Sequence, residues 1–179
     1  EPFNPSVLNH LANHYFYRAQ YQKALTLAER ANKHCDAKAI RAESCYHMAR
    51  CHHAQGNYGL ALQWYTESKK CNQEYTAPDF GLGQMHLVNE DPKKAAQCFE
   101  RVLRAQPGNT DALKALGHLY KRSGKHADAL AKLTAASEQS PSDASVWLEL
   151  AQIQQHVPGS LVAALKSYEK AAGLMKTAP

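Results

Sequence analysis

Long apolar segments are missing from this chain of 179 residues. Its apolar runs are only a few residues long, as at residues 60–62, whereas a helix that crosses a bilayer needs about 20 apolar residues. The start of the sequence, residues 1–5, lacks an initiator methionine, a basic segment and the apolar core of a secretion signal. We therefore expect no membrane span and interpret the chain as a piece of a longer protein.

A strong charge of one sign is also missing. The 21 Lys and Arg residues exceed the 16 Asp and Glu residues by five, a mild surplus in a composition that is 44% hydrophobic. Proteins that bind nucleic acid along their whole length carry a denser positive charge. The composition therefore fits one globular domain or one repeat array and disfavours nucleic-acid binding along the whole chain.

The motifs of enzymes and metal sites are missing as well. The five cysteines form no C-x-x-C pair and lie in predicted helices, which indicates reduced thiols in the cytosol or nucleus. His10 and His14 share a helix face without a third ligand, and the histidines and cysteines at residues 45–53 do not have the spacing of a zinc site. No nucleophile elbow accompanies them. We predict no enzyme, no cofactor and no metal.

What the sequence does contain is a repeat of about 34 residues. The small residue that opens the second half of each unit recurs at intervals of 37, 34, 34 and 35 residues, at Ala24, Ala61, Ala95, Ala129 and Ala164. A second small residue precedes each of these by 12 or 13 positions, at Ala12, Ala49, Gly83, Gly117 and Ala151. Large apolar residues flank them at helical spacing. Paired small residues of this kind let two antiparallel helices approach closely.

This pattern predicts an all-α fold, a tetratricopeptide (TPR) repeat superhelix, or α-solenoid, of five helix-turn-helix pairs. We predict a single array over residues 1–179, with approximate repeats at residues 5–38, 42–75, 76–109, 110–143 and 144–178. Three extra residues before the second repeat and one in the fifth are expected to lie in turns, where insertions are tolerated. Asn109 and Asp143 are expected to cap the helices that follow them.

The first helices of stacked TPR units line a concave groove. Helical geometry places amide, aromatic and basic side chains on that side of this chain. The residues that we predict to bind a partner there are Asn9, Asn13, Tyr17, Tyr46, Arg50, Phe80, Gln84, Lys114, His118 and Lys121. This lining suits an extended or helical peptide and not a small molecule. The alternative is a groove that binds only water, and the cost of leaving Phe80 exposed favours a partner.

The positive charge is concentrated at residues 101–132, where seven Lys and Arg residues face two Asp residues. Lys114, His118 and Lys121 follow one another at helical spacing and share the predicted groove side. Our first expectation for this basic patch is an acidic peptide. Nucleic acid is the second, because no aromatic residue on which bases could stack is interleaved with Lys114, His118 and Lys121 on their helix face.

Three long runs in the sequence point to a particular family. They are NPSVLNHLANHYFYRAQYQKA, AESCYHMARCHHAQGNYGLALQWY and FGLGQMHLVNEDPKKAAQCFERVL. They closely resemble consecutive TPR units of the large scaffold subunit, of the Ctr-nine type, in the Paf complex, a transcription elongation factor associated with RNA polymerase II. The resemblance covers nearly the whole chain, and its NHLANH and FGLGQM runs exceed what a generic repeat requires.

The resemblance implies a non-catalytic scaffold in the nucleus. Its partners would be the other Paf complex subunits and RNA polymerase II, and it would support transcription elongation and histone modification during transcription. A generic TPR peptide-binding adaptor or co-chaperone module is the alternative, and an RNA-processing helical repeat protein is a remoter one. Asn9 and Asn13 have no neighbouring lysine, so the clamp that grips chaperone tails in some TPR modules is not reproduced.

Overall fold

The computed structural model describes residues 4–177, and every regular element in that part of the chain is a helix. The ten helices are α1 (Pro5–Tyr17), α2 (Tyr21–Lys33), α3 (Lys38–Ala54), α4 (Tyr58–Cys71), α5 (Ala77–Val88), α6 (Pro92–Ala105), α7 (Thr110–Arg122), α8 (His126–Gln139), α9 (Ala144–Gln154) and α10 (Leu161–Thr177). They alternate as the first and second helices of five consecutive pairs. This arrangement agrees with the predicted all-α class.

A residue with left-handed backbone geometry lies in the turn of each helix pair. It is Ala19 (φ 56°), Gly56 (78°), Glu90 (56°), Gly124 (74°) or Gly159 (80°). In each of the first four turns, the next N–H donates to a carbonyl five positions earlier, as Asn57 N does to His52 O at 2.9 Å. This bond closes a Schellman motif, which satisfies a carbonyl at the end of the first helix. The fifth turn holds the extra residue and closes with a different bond, from Ser160 N to Val157 O.

The small residues predicted at the helix crossings are all buried. The eight alanines among them are at most 3% exposed, and Gly83 and Gly117 are buried too. At Gly117 the reason is visible, because a Cβ built there would lie 2.7 Å from Leu133 Cγ on the facing helix. Backbone therefore packs directly against side chain at this crossing, as the sequence pattern predicts.

The chain divides into two compact units, Glu1–Cys98 and Phe99–Pro179, with the boundary inside α6. In the first unit, Ala12, Ala24 and Met48 belong to a core that α1 to α3 share. In the second unit, Leu133, Leu150 and Ile153 join α8 to α9. The predicted single array and its repeat boundaries stay a prediction, and its residues 1–3, 178 and 179 lie outside the described part.

Capping and insertion follow the sequence only in part. Asn109 and Asp143 cap α7 and α9 as predicted. The side-chain oxygen of Asn109 accepts from Ala112 N, and that of Asp143 accepts from Ser145 N. The extra residue of the fifth repeat lies in a loop, as expected. The expectation that residues 39–41 form a turn is wrong, because they lie in α3. Alanine, isoleucine and arginine do not break a helix, so the insertion lengthens α3.

We predict that Gly117→Leu destabilises the chain, because a side chain at this position overlaps Leu133 and overpacks the crossing. The free energy of unfolding should fall by about 1 to 3 kcal/mol, measured by urea denaturation. Gly59→Leu is the matched control, because Gly59 lies in α4 with open space around its Cβ position. Equal stability of the two variants would refute the assigned crossing.

A buried ion pair joins the end of α4 to the start of α5. Lys69 Nζ lies 3.0 Å from Asp79 Oδ2, and the Asp79 side chain is only 1% exposed. The same ammonium group donates to the carbonyls of Gln73 and Tyr75 in the connecting segment. Three acceptors therefore surround one cation, and they fix the direction in which α5 leaves the connection.

Lys69→Met should lower the free energy of unfolding by about 3 kcal/mol, because it removes the ammonium group that lies 3.0 Å from the buried Asp79 carboxylate. Lys70→Met is the control, since its pairing with Glu67 is solvent-exposed and should be worth less than about 1 kcal/mol. Chemical denaturation of both variants at pH 7 measures the difference. An equal loss in both would show that the buried pair is not special.

Candidate functional site

The candidate site is a pocket in the first unit, formed by residues of α1, α3, α4 and α5. Its volume is about 340 Å³. Four of the predicted groove residues line it together: Tyr46, Arg50, Phe80 and Gln84. The structure thus brings together side chains from two successive first helices, which the sequence placed on one face only by their spacing.

Arg50 is the cationic centre of this pocket. Its guanidinium carbon lies 3.8 Å from the ring centroid of Phe16, and 5.2 Å and 5.3 Å from those of Tyr17 and Tyr46. Its Nη1 donates to Asn13 Oδ1 at 2.9 Å. Asn13 therefore orients the arginine, and the aromatic rings hold it by cation–π contact.

Tyr65 forms one wall of the pocket, and its ring fits there because α5 has a glycine, Gly81, where the two helices meet. A Cβ built at Gly81 would overlap the Tyr65 ring, so glycine is required where α4 meets α5. Tyr46 lies beside it, with ring centroids 6.2 Å apart, and burial raises the pKa of both phenols. Both phenols are therefore neutral at physiological pH, and the wall they form is aromatic and uncharged.

Sequence reasoning missed Phe16, Tyr65 and Gly81 as residues of this site. Tyr65 follows Ala61 at the spacing of the helix-crossing face, which predicts a core residue. It is indeed only 3% exposed, and its ring still reaches the pocket. The signal that could have found it is Gly81 itself, a glycine inside a helix without a turn to explain it.

Asn9 corrects the predicted lining. It is fully buried, and its side chain bonds only within the fold. Its Nδ2 donates to Ile40 O at 3.1 Å and to Glu43 Oε2 at 3.3 Å, and its Oδ1 accepts from Ser44 Oγ at 2.9 Å. Asn9 therefore joins α1 to α3 and is not available to a partner. Tyr17, by contrast, is 75% exposed beside the pocket.

In the second unit, the predicted basic residues turn toward α9. Lys114 Nζ donates to Ser145 Oγ at 2.6 Å and lies 3.4 Å from Asp143 Oδ2. Lys121 Nζ donates to Gln152 Oε1 at 2.9 Å. These lysines hold the first helices of two successive repeats together, so much of their hydrogen-bonding capacity is already used.

His118 is the most exposed of these three basic residues. Its side chain is 60% exposed, and Nδ1 lies 3.7 Å from Glu149 Oε2. Asp143, which caps α9, and Glu149 within α9 therefore lie along the face that carries Lys114, His118 and Lys121. Docking of a partner on this patch stays a prediction. The neighbouring carboxylates of Asp143 and Glu149 offset part of the positive charge that the sequence suggests.

The tetratricopeptide repeat family matches residues 42–75 and residues 87–153. A MamA fragment, residues 41 to the end, from Desulfovibrio magneticus RS-1 superimposes with a TM-score of 0.80. That match covers 97% of this chain and 96% of the other, at 17% identity. The chain has the tetratricopeptide-repeat fold. The predicted fold class is thereby confirmed.

Two relatives with similar sequences are CTR9 proteins. It is 41% identical over 118 residues to the RNA polymerase-associated protein CTR9 of Caenorhabditis elegans, and 34% identical over 179 residues to the CTR9 homolog of Arabidopsis thaliana. These matches cover 65% and 98% of this chain. The chain spans only 10% and 16% of the two relatives' lengths. It is therefore a CTR9-like TPR chain over the part compared.

Nucleophilic chemistry finds no support in the buried thiols of this TPR chain. Burial raises the pKa of Cys51 to about 11 and that of Cys45 to about 12. Both thiols are protonated at neutral pH, the opposite of what a nucleophilic cysteine needs. Within residues 4–177, no group of three or more His, Cys, Asp or Glu side chains is arranged to hold a metal ion. No helix of that part is long and apolar enough to span a membrane.

His47, next to Tyr46, is a buried titratable group on α3. Burial lowers its pKa to about 4, although the Glu43 carboxylate 3.7 Å from Nε2 acts in the opposite direction. Neither ring nitrogen has a hydrogen-bond partner within the described residues. Burial also lowers the pKa of His52 and His53. The folded chain therefore holds these histidines neutral, and the unfolded chain takes up protons first as the pH falls.

Stability should accordingly be full above the unfolded histidine pKa, about 6.5, and decline as the pH drops toward 4. We predict that His47→Leu reduces the loss of unfolding free energy between pH 7.5 and pH 5.0 by about 2 kcal/mol. Urea denaturation at the two pH values measures this, and the exposed His34→Leu is the control. An unchanged pH dependence in His47→Leu would exclude His47 as its source.

Proposed function

We propose that this chain is part of a non-catalytic scaffold in a Paf-type complex, which works in the nucleus on transcribing RNA polymerase II. The similarity to CTR9 proteins, which extends over 98% of the chain in the Arabidopsis relative, is the observation that carries the proposal. The scaffold holds other subunits of the complex and supports elongation and histone modification during transcription. These activities belong to the proposal, since the chain spans a small part of each relative.

The pocket supplies the means of holding a partner. It combines Arg50 with the rings of Tyr46 and Phe80, and tyrosine and arginine are, with tryptophan, enriched among the residues that contribute most to binding energy at protein interfaces. Gln84 adds an amide that can bond a peptide backbone. The partner-binding residues that we propose are therefore Asn13, Tyr17, Tyr46, Arg50, Phe80 and Gln84, with Lys114, His118 and Lys121 as a second, weaker surface.

The test is purification of the tagged full chain from nuclear extract, followed by crosslinking mass spectrometry. We expect the other Paf subunits and elongating RNA polymerase II to be recovered, with crosslinks near the pocket. Combined Tyr46→Ala and Phe80→Ala should reduce the recovery of the crosslinked subunit at least about fivefold, as loss of two interface anchors predicts.

Tyr58→Ala is the matched control for these substitutions. Tyr58 is an exposed aromatic residue at the start of α4 and does not line the pocket. Recovery should be unchanged in this variant. Recovery of chaperones without polymerase or Paf subunits would overturn the scaffold proposal and favour a co-chaperone adaptor.

A further inference from the structure

Within the described part of the chain, Arg50 forms no ion pair with an acidic side chain. No Asp or Glu among residues 4–177 lies within ion-pair distance of its guanidinium group. Its hydrogen bond is the one to the neutral amide of Asn13. A guanidinium group has five N–H donors, so most of its capacity is left for another acceptor. In this respect Arg50 differs from Lys114 and Lys121, whose ammonium groups are bonded to side chains of α9.

The aromatic rings around Arg50 hold it without neutralising it. The guanidinium carbon lies over the Phe16 ring, and a guanidinium group that stacks on a ring keeps the N–H groups at its edge able to donate. Tyr17 and Tyr46 add two further rings, whose centroids lie 5.2 Å and 5.3 Å from the guanidinium carbon. The arginine is therefore fixed in place, which lowers the entropic cost of forming a two-pronged bond with a carboxylate.

The remaining pocket lining carries no charge that opposes an acid. It includes no Asp or Glu. His53 lines the pocket too, and burial lowers its pKa, so it is neutral at physiological pH. Arg50 is therefore the one ionised side chain among the residues that line the pocket. An anionic group enters without repulsion, whereas a cationic one meets Arg50 in a partly desolvated place.

We propose that this pocket binds the carboxylate of a Glu or Asp side chain in a partner's extended peptide segment, with an apolar residue beside it. The carboxylate pairs with Arg50, and the apolar neighbour packs against Tyr46 and Phe80. This rests on the proposed function, in that the groove holds a protein partner. It assigns the acidic segment to the first unit and not to the basic patch of the second.

An NMR titration of the isotope-labelled chain with short peptides tests the proposal. The probe is a six-residue peptide, acetylated and amidated at its ends, with one Glu between Leu and Phe. A second peptide has Gln in place of Glu. On the wild-type chain at low salt, the Glu peptide should bind at least about tenfold more tightly, as a charge-assisted bond in place of a neutral one predicts. It should also shift the Arg50 Nε–Hε resonance.

Three variants assign that preference to Arg50. In Arg50→Gln, the two peptides should bind within about twofold of each other, whereas Arg50→Lys should keep part of the preference because it keeps the charge without the planar fork. Lys121→Gln is the matched control, a cation of the second unit, and should keep the full preference. Melting curves of the variants show whether each is folded, and the shift in the wild-type chain gives evidence that needs no variant.

Equal binding of the Glu and Gln peptides to the wild-type chain would overturn the acid preference. Failure of both peptides to shift any pocket resonance would overturn it as well. A third peptide, with Gln and a free carboxyl terminus, separates the two kinds of carboxylate. If it bound more tightly than the Glu peptide, the assignment to a side chain would be wrong. The purification with Tyr46 and Phe80 variants decides the proposed function independently of these results.

Discussion

Each helix pair of this chain depends on a small residue where its two helices cross. A larger side chain at these positions would separate the helices, and the apolar residues around the crossing would lose their contacts. The same constraint acts between pairs at Gly81, where the α5 backbone lies against the Tyr65 ring. A side chain at position 81 would occupy the space of the Tyr65 ring, which forms one wall of the pocket. The packing of these helices and the shape of the candidate pocket therefore share one requirement.

The sequence predicts the fold well because the signals of a repeat reinforce one another. The recurring small residues, Asn109 and Asp143 as caps, and the glycines of the turns all agree with the described helices. The length of α3 could not be predicted in this way. Whether inserted residues extend a helix or a turn depends on small differences in helix propensity, which packing overrides. Ile40, for example, lies in α3, and its carbonyl accepts bonds from Asn9 and Ser44.

For the site, the sequence could predict only which face of its helix each residue occupies. Periodicity identified the side of α3 and α5 that carries Tyr46, Arg50, Phe80 and Gln84, and these residues do line one pocket. Periodicity does not show which residues a neighbouring helix covers. Asn9, which α3 covers, was for this reason wrongly expected to line the groove. The partners of the lysines could not be predicted for the same reason. Lys114 contacts Asp143, which is 29 residues away in the sequence, and no local pattern indicates that contact.

The bonds of Asn9 tie α1 to one position along α3. An amide buried at 0% exposure finds its three partners, the Ile40 carbonyl, the Glu43 carboxylate and the Ser44 hydroxyl, only when the two helices lie in this alignment. Sliding α1 by one turn would keep much of the apolar packing but would leave a polar group without partners, at a cost of about 1 to 3 kcal/mol. The small residues allow the close helix crossings, and Asn9 sets the alignment of α1 along α3. The repeats are thus similar in architecture without being interchangeable in sequence.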